Sequence, residues 1–279
     1  MKVLVTGANG QLGTDVMAVL AQRGTAAVGT DVDTLDLTDA AAVRALFAAQ
    51  QPDAVIHCAA FTDVNAAEQA RERCFAVNEG ATRNVAAACA ACGAKLLYTS
   101  TDYVFGDSGT AFLETDAEKR PCNVYGESKL AGEQAVQALC SRAFIVRISW
   151  VFGLHGKNFV KTMLRLSETH DTLRVVDDQI GSPTYTADLA PLLVDMIGSD
   201  RYGVYHATNE GVCSWAEFAA EIFRQAGRPT QVEPVPSADY PSPAVRPLNS
   251  RLSKASLDAA GFARLPDWRD ALRRFLSDL

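Results

Sequence analysis

Two residues whose types and spacing could move a proton lie in the middle part of the sequence, Tyr125 and Lys129. They are four positions apart in a segment with helical spacing, so both side chains are expected on one face of a helix. A free phenol has a pKa of about 10, and a neighbouring ammonium group lowers that pKa because it favours the phenolate. The pair therefore predicts a tyrosine that exchanges a proton with a substrate, although alone it also fits a core tyrosine followed by a surface lysine.

A glycine-rich loop near the N-terminus predicts the cofactor beside which this proton would move. Gly7-x-x-Gly10-x-x-Gly13 follows a short apolar run and opens a segment with helical spacing, which is the context that a dinucleotide-binding loop needs. Gly7 would permit a tight turn, Gly10 would let backbone N–H groups approach a pyrophosphate, and Gly13 would let the helix pack closely on the strand. The loop favours NADH or NADPH over an ordinary glycine-rich turn.

Residues at the ends of the predicted strands extend this cofactor site. Asp31 ends the second strand, where a carboxylate commonly binds the ribose hydroxyls and repels a 2′-phosphate. This favours NADH but leaves NADPH open. Asp36 and Leu37 could hold the adenine edge, and Asn78 could be a polar anchor in a following helix. The predicted cofactor-binding residues are Gly7, Asn9, Gly10, Gln11, Leu12, Asp31, Asp36, Leu37, Ala59, Ala60, Thr62, Asn78, Tyr125 and Lys129.

A hydroxyl pair at the end of the fourth predicted strand completes a candidate reaction centre. The carboxyl ends of parallel strands face the ligand crevice, so Ser100 or Thr101 could hydrogen-bond a substrate carbonyl. Thr101 would hold the oxygen, Tyr125 would supply its proton, and Lys129 would lower the phenol pKa and grip the nicotinamide ribose. These three residues are the predicted catalytic set.

The order of elements predicts an α/β fold. The strand-like runs are residues 2–6, 26–30, 54–57, 95–99 and 144–148. Helix-like segments separate them, and such alternation is typical of a Rossmann-like doubly wound parallel sheet. We expect this dinucleotide-binding domain over residues 1–150, with some later segments returning to it. A smaller C-terminal substrate lobe is expected over residues 151–279.

Two segments have less regular patterns. Residues 72–92 have helical spacing and predict one long helix. Residues 229–249 are rich in proline, so we expect an extended, ordered loop rather than a helix.

Composition narrows the classes of protein. The chain has 279 residues, 48% of them hydrophobic, a mean hydropathy of +0.00 and a net charge of -7. It enters its first strand without a leader or a membrane-length apolar run, and its seven cysteines fit a reducing compartment. We therefore expect a cytoplasmic protein that binds neither membrane nor nucleic acid. Cys89-x-x-Cys92 lacks a second ligand pair, so no metal site is predicted there.

These motifs resemble the extended short-chain dehydrogenase/reductase family, and within it the dTDP-4-dehydrorhamnose reductases. The resemblance covers the whole chain. The strings that carry the closer likeness are Ser100-Thr101-Asp102-Tyr103-Val104-Phe105, Asn123-Val124-Tyr125-Gly126, Arg147-Ile148-Ser149-Trp150-Val151, Asn158-Phe159-Val160-Lys161-Thr162-Met163, Asp178-Gln179-Ile180-Gly181-Ser182-Pro183-Thr184 and Arg246-Pro247-Leu248-Asn249-Ser250-Arg251-Leu252.

The resemblance implies reduction of the 4-keto group of dTDP-4-dehydro-L-rhamnose to dTDP-L-rhamnose by NADH or NADPH, in the supply of bacterial surface polysaccharide. Arg246 and Arg251 could pair with the diphosphate or be surface charges. Some family members bridge a dimer through Mg²⁺, but Asp15 is an isolated acid near the start of the first helix, so Mg²⁺ is left open and no metal site is predicted. Monomer and homodimer both remain open. The implied substrate residues are Val64, Thr101, Asp102, Trp150, Asn158, Arg246 and Arg251.

Three related functions can be distinguished. In the related 4,6-dehydratases an Asp-Glu pair follows the catalytic threonine, whereas Tyr103 follows Asp102 here, so net reduction fits better than elimination. A reductase of another nucleotide-linked keto-deoxysugar is one alternative. The other is a non-catalytic, cofactor-binding regulatory subunit of the same fold, which the intact Thr101, Tyr125 and Lys129 set disfavours.

Overall fold

The computed structural model describes residues 1–106 and 109–279 and has a six-stranded parallel sheet at its centre. The strands are β1 Lys2–Thr6, β2 Ala26–Thr30, β3 Ala54–His57, β4 Lys95–Thr101, β5 Ala143–Ile148, β6 Val151–Phe152, β7 Thr172–Val176, β8 Ile180–Gly181, β9 Thr184–Tyr185, β10 Gly203–His206, β11 Cys213–Ser214, β12 Gln231–Val235 and β13 Asn249–Ser250. The α-helices are α1 Gln11–Gln22, α2 Ala40–Gln50, α3 Val64–Gln69, α4 Arg71–Phe75, α5 Thr82–Cys92, α6 Val124–Leu139, α7 Phe159–Leu166, α8 Thr186–Ile197, α9 Trp215–Gln225, α10 Ala255–Ala260 and α11 Trp268–Asp278. Short 3₁₀ turns cover Asp102–Val104 and Ser237–Asp239.

The order of the strands places a crevice at one point of the sheet. The order is β10-β5-β4-β3-β1-β2, and every adjacent pair is parallel. From β1 the chain first adds β2 on one side and then β3 on the other, so the direction of winding reverses between β1 and β3. Ligands of open α/β sheets bind outside the carboxyl ends of the strands at such a reversal.

Helices cover both faces of the sheet, as the buried apolar runs of the strands require. Val3 and Val5 on β1 pack with α1 and α8, whereas Leu4 between them packs with α2 and α5 on the opposite face. This alternation follows from the two-residue period of a strand. The predicted fold class, a doubly wound parallel sheet with a smaller C-terminal lobe, is confirmed.

The C-terminal lobe has its own core, in which Phe152, Phe218 and Trp268 are buried between α7, α9 and α11. Not all of the chain after residue 150 belongs to this lobe. β10 pairs with β5 in the main sheet, and α8 packs on α1 in its core. Residues 186–206 thus return to the first domain.

Two segments differ from the sequence predictions. The predicted long helix over residues 72–92 consists of α4, a π-helical turn at Ala76–Ala81 and α5. The proline-rich stretch contains β12, which pairs in parallel with β7 in a two-stranded sheet. Pro234 is tolerated in β12 because an edge strand need not use every N–H group. No helix of the described residues is long and apolar enough to cross a membrane.

Replacement of Gly13 by alanine tests how closely α1 approaches the loop before it. A Cβ at Gly13 would lie 2.0 Å from the carbonyl oxygen of Gly7 and 2.8 Å from the Cα of Ala8. Because backbone cannot yield cheaply, we expect Gly13→Ala to lower the free energy of unfolding by about 3 kcal/mol or more in urea denaturation. Gly80→Ala is the matched control, since its Cβ would have its nearest neighbour at 3.9 Å. Equal effects of the two changes would contradict the packing argument.

Candidate active site

A single cleft of about 1120 Å³ opens at the carboxyl ends of β1, β3 and β4. Its wall includes residues of the main domain and of the C-terminal lobe. The predicted residues that line it are Gly7, Gly10, Gln11, Leu12, Asp31, Asp36, Leu37, Ala59, Ala60, Thr62, Val64, Thr101, Asp102, Tyr125, Lys129, Trp150 and Arg246. Four predicted residues, Asn9, Asn78, Asn158 and Arg251, are not part of this wall.

The glycine loop has the shape and polarity that a pyrophosphate needs. Gly7 has a φ of +68°, and a Cβ there would lie 2.7 Å from the backbone nitrogen of Ala59. At the N-terminus of α1, no described side chain caps the helix and the first turn has no acidic residue. The helix dipole and the backbone N–H groups therefore face the cleft without a competing anion, and a dinucleotide fits this cradle.

Asp31 lines the cleft, and backbone donors hold its carboxylate in place. The Asn9 N–H donates to its Oδ2 at 2.9 Å and the Val32 N–H donates to its Oδ1 at 2.7 Å. Asn9 thus contributes through its backbone, by orienting the carboxylate. Near it, hydrogen bonds from Thr38 lower the pKa of Asp36, and Arg73 adds a smaller electrostatic contribution. Arg73 also lines the cleft.

Asn78, a predicted cofactor-binding residue, lies behind the wall of the cleft. Its Oδ1 accepts from the Phe61 N–H at 2.8 Å, and its Nδ2 donates to the Phe61 carbonyl at 3.1 Å and to Ser128 Oγ at 2.9 Å. The side chain is buried, and its hydrogen-bond partners are protein groups. Its two hydrogen bonds with the Phe61 backbone hold the segment after β3 in position.

Glycines bring α6 unusually close to the end of β4. A Cβ at Gly126 would lie 2.4 Å from the carbonyl oxygen of Tyr103, and one at Gly132 would lie 2.4 Å from the Tyr98 hydroxyl. The helix begins at a side-chain cap, since Asn123 Oδ1 accepts from the Gly126 N–H at 2.8 Å. This close packing places the tyrosine and lysine of α6 in the same cleft as the threonine of β4.

The side chains of Thr101 and Tyr125 both line the cleft and lie close enough to interact. Desolvation raises the pKa of the Tyr125 phenol, and the interaction with Thr101 only partly opposes this. The outcome differs from the prediction that Lys129 lowers the phenol pKa, because burial has the larger effect. A phenol with a raised pKa keeps its proton at neutral pH, so Tyr125 is in the protonated form that a proton donor needs.

Lys129 is directed at the floor of the cleft. Its Nζ donates to the Thr99 carbonyl at 2.7 Å and lies 4.1 Å from the centre of the Tyr98 ring. Its side chain is almost wholly buried, and desolvation lowers its pKa from 10.5 to about 7. The ammonium is therefore poised to lose or hold its proton near neutrality.

The structure distinguishes the two hydroxyls at the end of β4. Ser100 also borders the cleft, but its Oγ donates to Glu133 at 2.5 Å. Thr101 Oγ1 donates to Asp102 Oδ1 at 3.0 Å and lines the cleft. Burial raises the pKa of Asp102 to about 6, and its Oδ2 has no hydrogen-bond partner among the described residues. Thr101 is thus the hydroxyl that can meet a substrate.

At the other end of the cleft, aromatic side chains form the wall. Trp150 stacks on Trp215 with 3.7 Å between ring centres and 14° between planes, so one indole face is already covered. Trp150 adopts a φ of 51°, which is uncommon for a residue of this size and turns it at the end of β5. Arg246 lines the cleft and donates to Asn65 Oδ1 at 3.2 Å.

Two predicted substrate residues have other roles. Asn158 caps α7, and its Nδ2 donates to Gln11 Oε1 at 2.9 Å and to the Gly153 carbonyl at 2.8 Å. Arg251 donates to Asn249 Oδ1 at 2.9 Å beside a separate, smaller pocket. Neither residue is part of the cleft wall in this structure.

Several residues of the wall were not predicted. They are Arg73, Lys157, Phe159, Trp215 and Phe218, among others. Each aromatic stands in an amphipathic segment that also fits a core position, and the two cations are single charges without a motif. Their positions depend on packing between the lobes, which leaves no local signal. No group of three or more His, Cys, Asp or Glu side chains within residues 1–106 and 109–279 could hold a metal ion.

Comparison with known proteins gives matches over the whole chain. The family described as the RmlD substrate binding domain matches residues 1–279. A dTDP-4-dehydrorhamnose reductase of Streptomyces griseus is 45% identical, over 96% of this chain and 91% of the relative. A dTDP-4-keto-6-deoxy-D-glucose reductase of Streptomyces niveus is 38% identical, over 96% and 94% respectively. A crystal structure of a dTDP-4-dehydrorhamnose reductase of Bacillus anthracis with NADP has a TM-score of 0.97 and 41% identity, and the match covers 100% of this chain and 99% of that one.

The lowered pKa of Lys129 predicts a pH dependence of stability. Its pKa is about 7 in the folded protein and 10.5 in an ordinary lysine, so the unfolded state binds more protons between these pH values. The free energy of unfolding should therefore rise with pH from about 7 to 10 through this residue. We expect Lys129→Met to flatten the rise and to be more stable than the wild type at pH 7 by about 1 kcal/mol or more.

Urea denaturation at several pH values measures this effect. Lys157→Met, which removes another lysine from the wall of the cleft, is the control and should keep the rise. An unchanged slope in Lys129→Met would show that the ammonium is not desolvated.

Proposed function

This chain belongs to the family described as the RmlD substrate binding domain, and we propose that it reduces the 4-keto group of dTDP-4-dehydro-L-rhamnose to give dTDP-L-rhamnose, with NADH or NADPH as the reductant. Relatives from Streptomyces griseus and Bacillus anthracis bear the name dTDP-4-dehydrorhamnose reductase, and the latter was solved with NADP. One observation carries the proposal. Thr101, Tyr125 and Lys129 line the same cleft as the glycine loop.

The residues of the cleft can perform the proton half of a carbonyl reduction. A nicotinamide held beside the glycine loop would supply the hydride to the carbonyl carbon. Tyr125 donates its phenolic proton to the carbonyl oxygen as that oxygen gains charge, and the neighbouring Thr101 hydroxyl helps to fix the oxygen in place. In its ammonium form, Lys129 places a positive charge in the cleft, which favours the phenolate left after the transfer.

The residues after Thr101 favour reduction over elimination. Asp102 is followed by Tyr103, and burial raises the pKa of that phenol to about 12. Tyr103 is therefore protonated at neutral pH and cannot act as the second carboxylate that a dehydratase uses. Asp102 is a single carboxyl group, hydrogen-bonded to Thr101.

A second candidate substrate is supported by one of the relatives. The Streptomyces niveus protein bears the name of a reductase acting on dTDP-4-keto-6-deoxy-D-glucose, so another nucleotide-linked keto-deoxysugar is the alternative for this chain. Assays with both keto-sugars, followed at the nicotinamide absorbance band, distinguish the two. Binding of NADH or NADPH without turnover of either sugar would favour the non-catalytic regulatory subunit.

Cellular context is a further part of the proposal. Cys58, Cys74, Cys89, Cys92, Cys140 and Cys213 are free thiols in the structure, which is consistent with the predicted cytoplasmic location. Monomer and homodimer remain the predicted states of assembly. Light scattering of the purified protein measures which of the two forms.

Tyr125→Phe tests the proton donor. We expect the variant to fold and to bind the dinucleotide as the wild type does, but kcat should fall by about 10²-fold or more because the proton-transfer group is lost. The control is Tyr202→Phe, which removes a hydroxyl that donates to Asp200 outside the cleft. Near-normal turnover of Tyr125→Phe would remove this residue from the mechanism.

Asp31→Asn tests coenzyme selection. The fixed carboxylate of Asp31 should repel a 2′-phosphate, so its neutralisation should raise the ratio of kcat/KM for NADPH to that for NADH by about tenfold. Asp33→Asn is the matched control, because Asp33 lies exposed in the same loop and outside the wall of the cleft. The same ratio in Asp31→Asn and in the wild type would exclude Asp31 as a selector.

A further inference from the structure

Glu133 joins the catalytic helix to the catalytic strand from below the cleft. It lies on α6, one turn after Lys129 and two turns after Tyr125. Its Oε1 accepts from Ser100 Oγ at 2.5 Å and from Arg147 Nε at 2.8 Å, and its Oε2 accepts from Arg147 Nη2 at 2.7 Å. The side chains of Glu133 and Arg147 are 2% and 1% exposed.

The partners of this carboxylate lie on adjacent strands. Ser100 on β4 and Arg147 on β5 are directly paired in the sheet, so one side chain of α6 is tied to both strands. Ser100 is the residue immediately before Thr101, and Lys129 donates to the carbonyl of Thr99 immediately before Ser100. We call the hydrogen bonds of Glu133 with Ser100 and Arg147 the clamp. The clamp holds the same segment of β4 that positions Thr101 and accepts the hydrogen bond from Lys129.

Glu133 also differs in charge from the other groups around Lys129. The titratable groups that face the ammonium, besides Glu133, are His57 on β3, Cys58 after it, Cys74 on α4 and Tyr98 on β4. Burial lowers the pKa of His57 to about 3 and raises the pKa values of Cys58, Cys74 and Tyr98. These four groups are thus neutral at pH 7, as is Tyr125, whose pKa is also raised.

Within the described residues, the negative charge that faces Lys129 is therefore the ion-paired carboxylate of Glu133. We propose that Glu133 is a positioning residue for the reduction: its carboxylate fixes α6 against the end of β4 through Ser100 and stabilises the ammonium form of Lys129. The inference rests on the proposed function, because it assigns Glu133 a part in that reaction.

The sign of the electrostatic effect follows from the geometry. A negative charge near Lys129 favours its protonated form, so removal of that charge should let the ammonium lose its proton at a lower pH. The arginine left behind is positive and acts in the same direction. Activity that needs the Lys129 cation should then decline at a lower pH as the solution becomes alkaline.

The test compares Glu133→Gln with Glu127→Gln. Glu127 is on the same helix but is partly exposed and paired with Arg71, so the control removes the same charge outside the clamp. Lys129 is titrated by NMR in protein with ¹³C-labelled lysine, without cofactor, and its signal is assigned with Lys129→Met. We expect its midpoint to fall by about one pH unit in Glu133→Gln and to stay in place in Glu127→Gln.

The alkaline limb of kcat/KM for the keto-sugar should shift in the same direction and by a similar amount in Glu133→Gln. An unchanged NMR midpoint, or a shift of equal size in Glu127→Gln, would overturn the electrostatic part. The titration needs no substrate, so it reports on Glu133 even when no keto-sugar is turned over. Absence of turnover by the wild type would instead count against the proposed function.

Two further variants keep the test decisive. Breaking a buried ion pair costs about 3–5 kcal/mol, so Glu133→Gln can be replaced by the double variant Glu133→Gln, Arg147→Met, which leaves no unpaired charge. A smaller downward shift of the midpoint is expected there, because loss of the arginine cation partly offsets loss of the carboxylate, and the absence of any downward shift overturns the proposal. Ser100→Ala removes one hydrogen bond of the clamp without changing charge. Ser100→Ala should lower kcat about tenfold and leave the alkaline limb of kcat/KM at the same pH. An unchanged kcat would exclude a positioning role for the hydrogen bond between Glu133 and Ser100.

Discussion

Desolvation of Lys129 is the constraint around which the catalytic side of the structure is built. An ammonium group withdrawn from water is costly unless other groups replace its hydration. Here the Thr99 carbonyl, the face of Tyr98 and the Glu133 carboxylate serve that purpose. Each of these groups is itself buried, so the lysine is compensated only while α6 and β4 remain in close contact.

His57, which lies near Lys129, is neutral for the same reason, because a buried charge is costly. Thr82 Oγ1 donates to the Asn78 carbonyl at 2.8 Å, so its bond with His57 Nε2 must be donated by the imidazole. His57 Nδ1 then accepts from Thr6 Oγ1 at 2.6 Å. With one nitrogen as donor and the other as acceptor, the ring is uncharged, and it links the end of β1, just before Gly7, to the helix behind β3 without adding a second cation.

The elements of the fold could be predicted from the sequence because each leaves a local pattern. Buried parallel strands appear as apolar runs, and the glycine spacing before α1 has a backbone requirement at every position. The π-helical turn at Ala76–Ala81 leaves no such pattern, since its residues have the spacing of an ordinary helix. β12 was not predicted because it contains Pro234. The free-energy cost of a proline in a strand depends on whether the strand lies at the edge of a sheet, and this is decided by tertiary structure.

The same reasoning explains which predicted side chains lie outside the wall of the cleft. Thr101 and Tyr125 are placed by strand and helix ends, so their motif fixes their location. A polar side chain such as Asn78 or Asn158 can face a ligand or satisfy a backbone group, and the sequence does not distinguish the two. Asn158 spends its amide on Gln11 of the glycine loop. That hydrogen bond joins the C-terminal lobe to the start of α1. Asn158 therefore supports the cleft without being part of its wall. Only the folded structure shows which polar side chains find an acceptor within the protein.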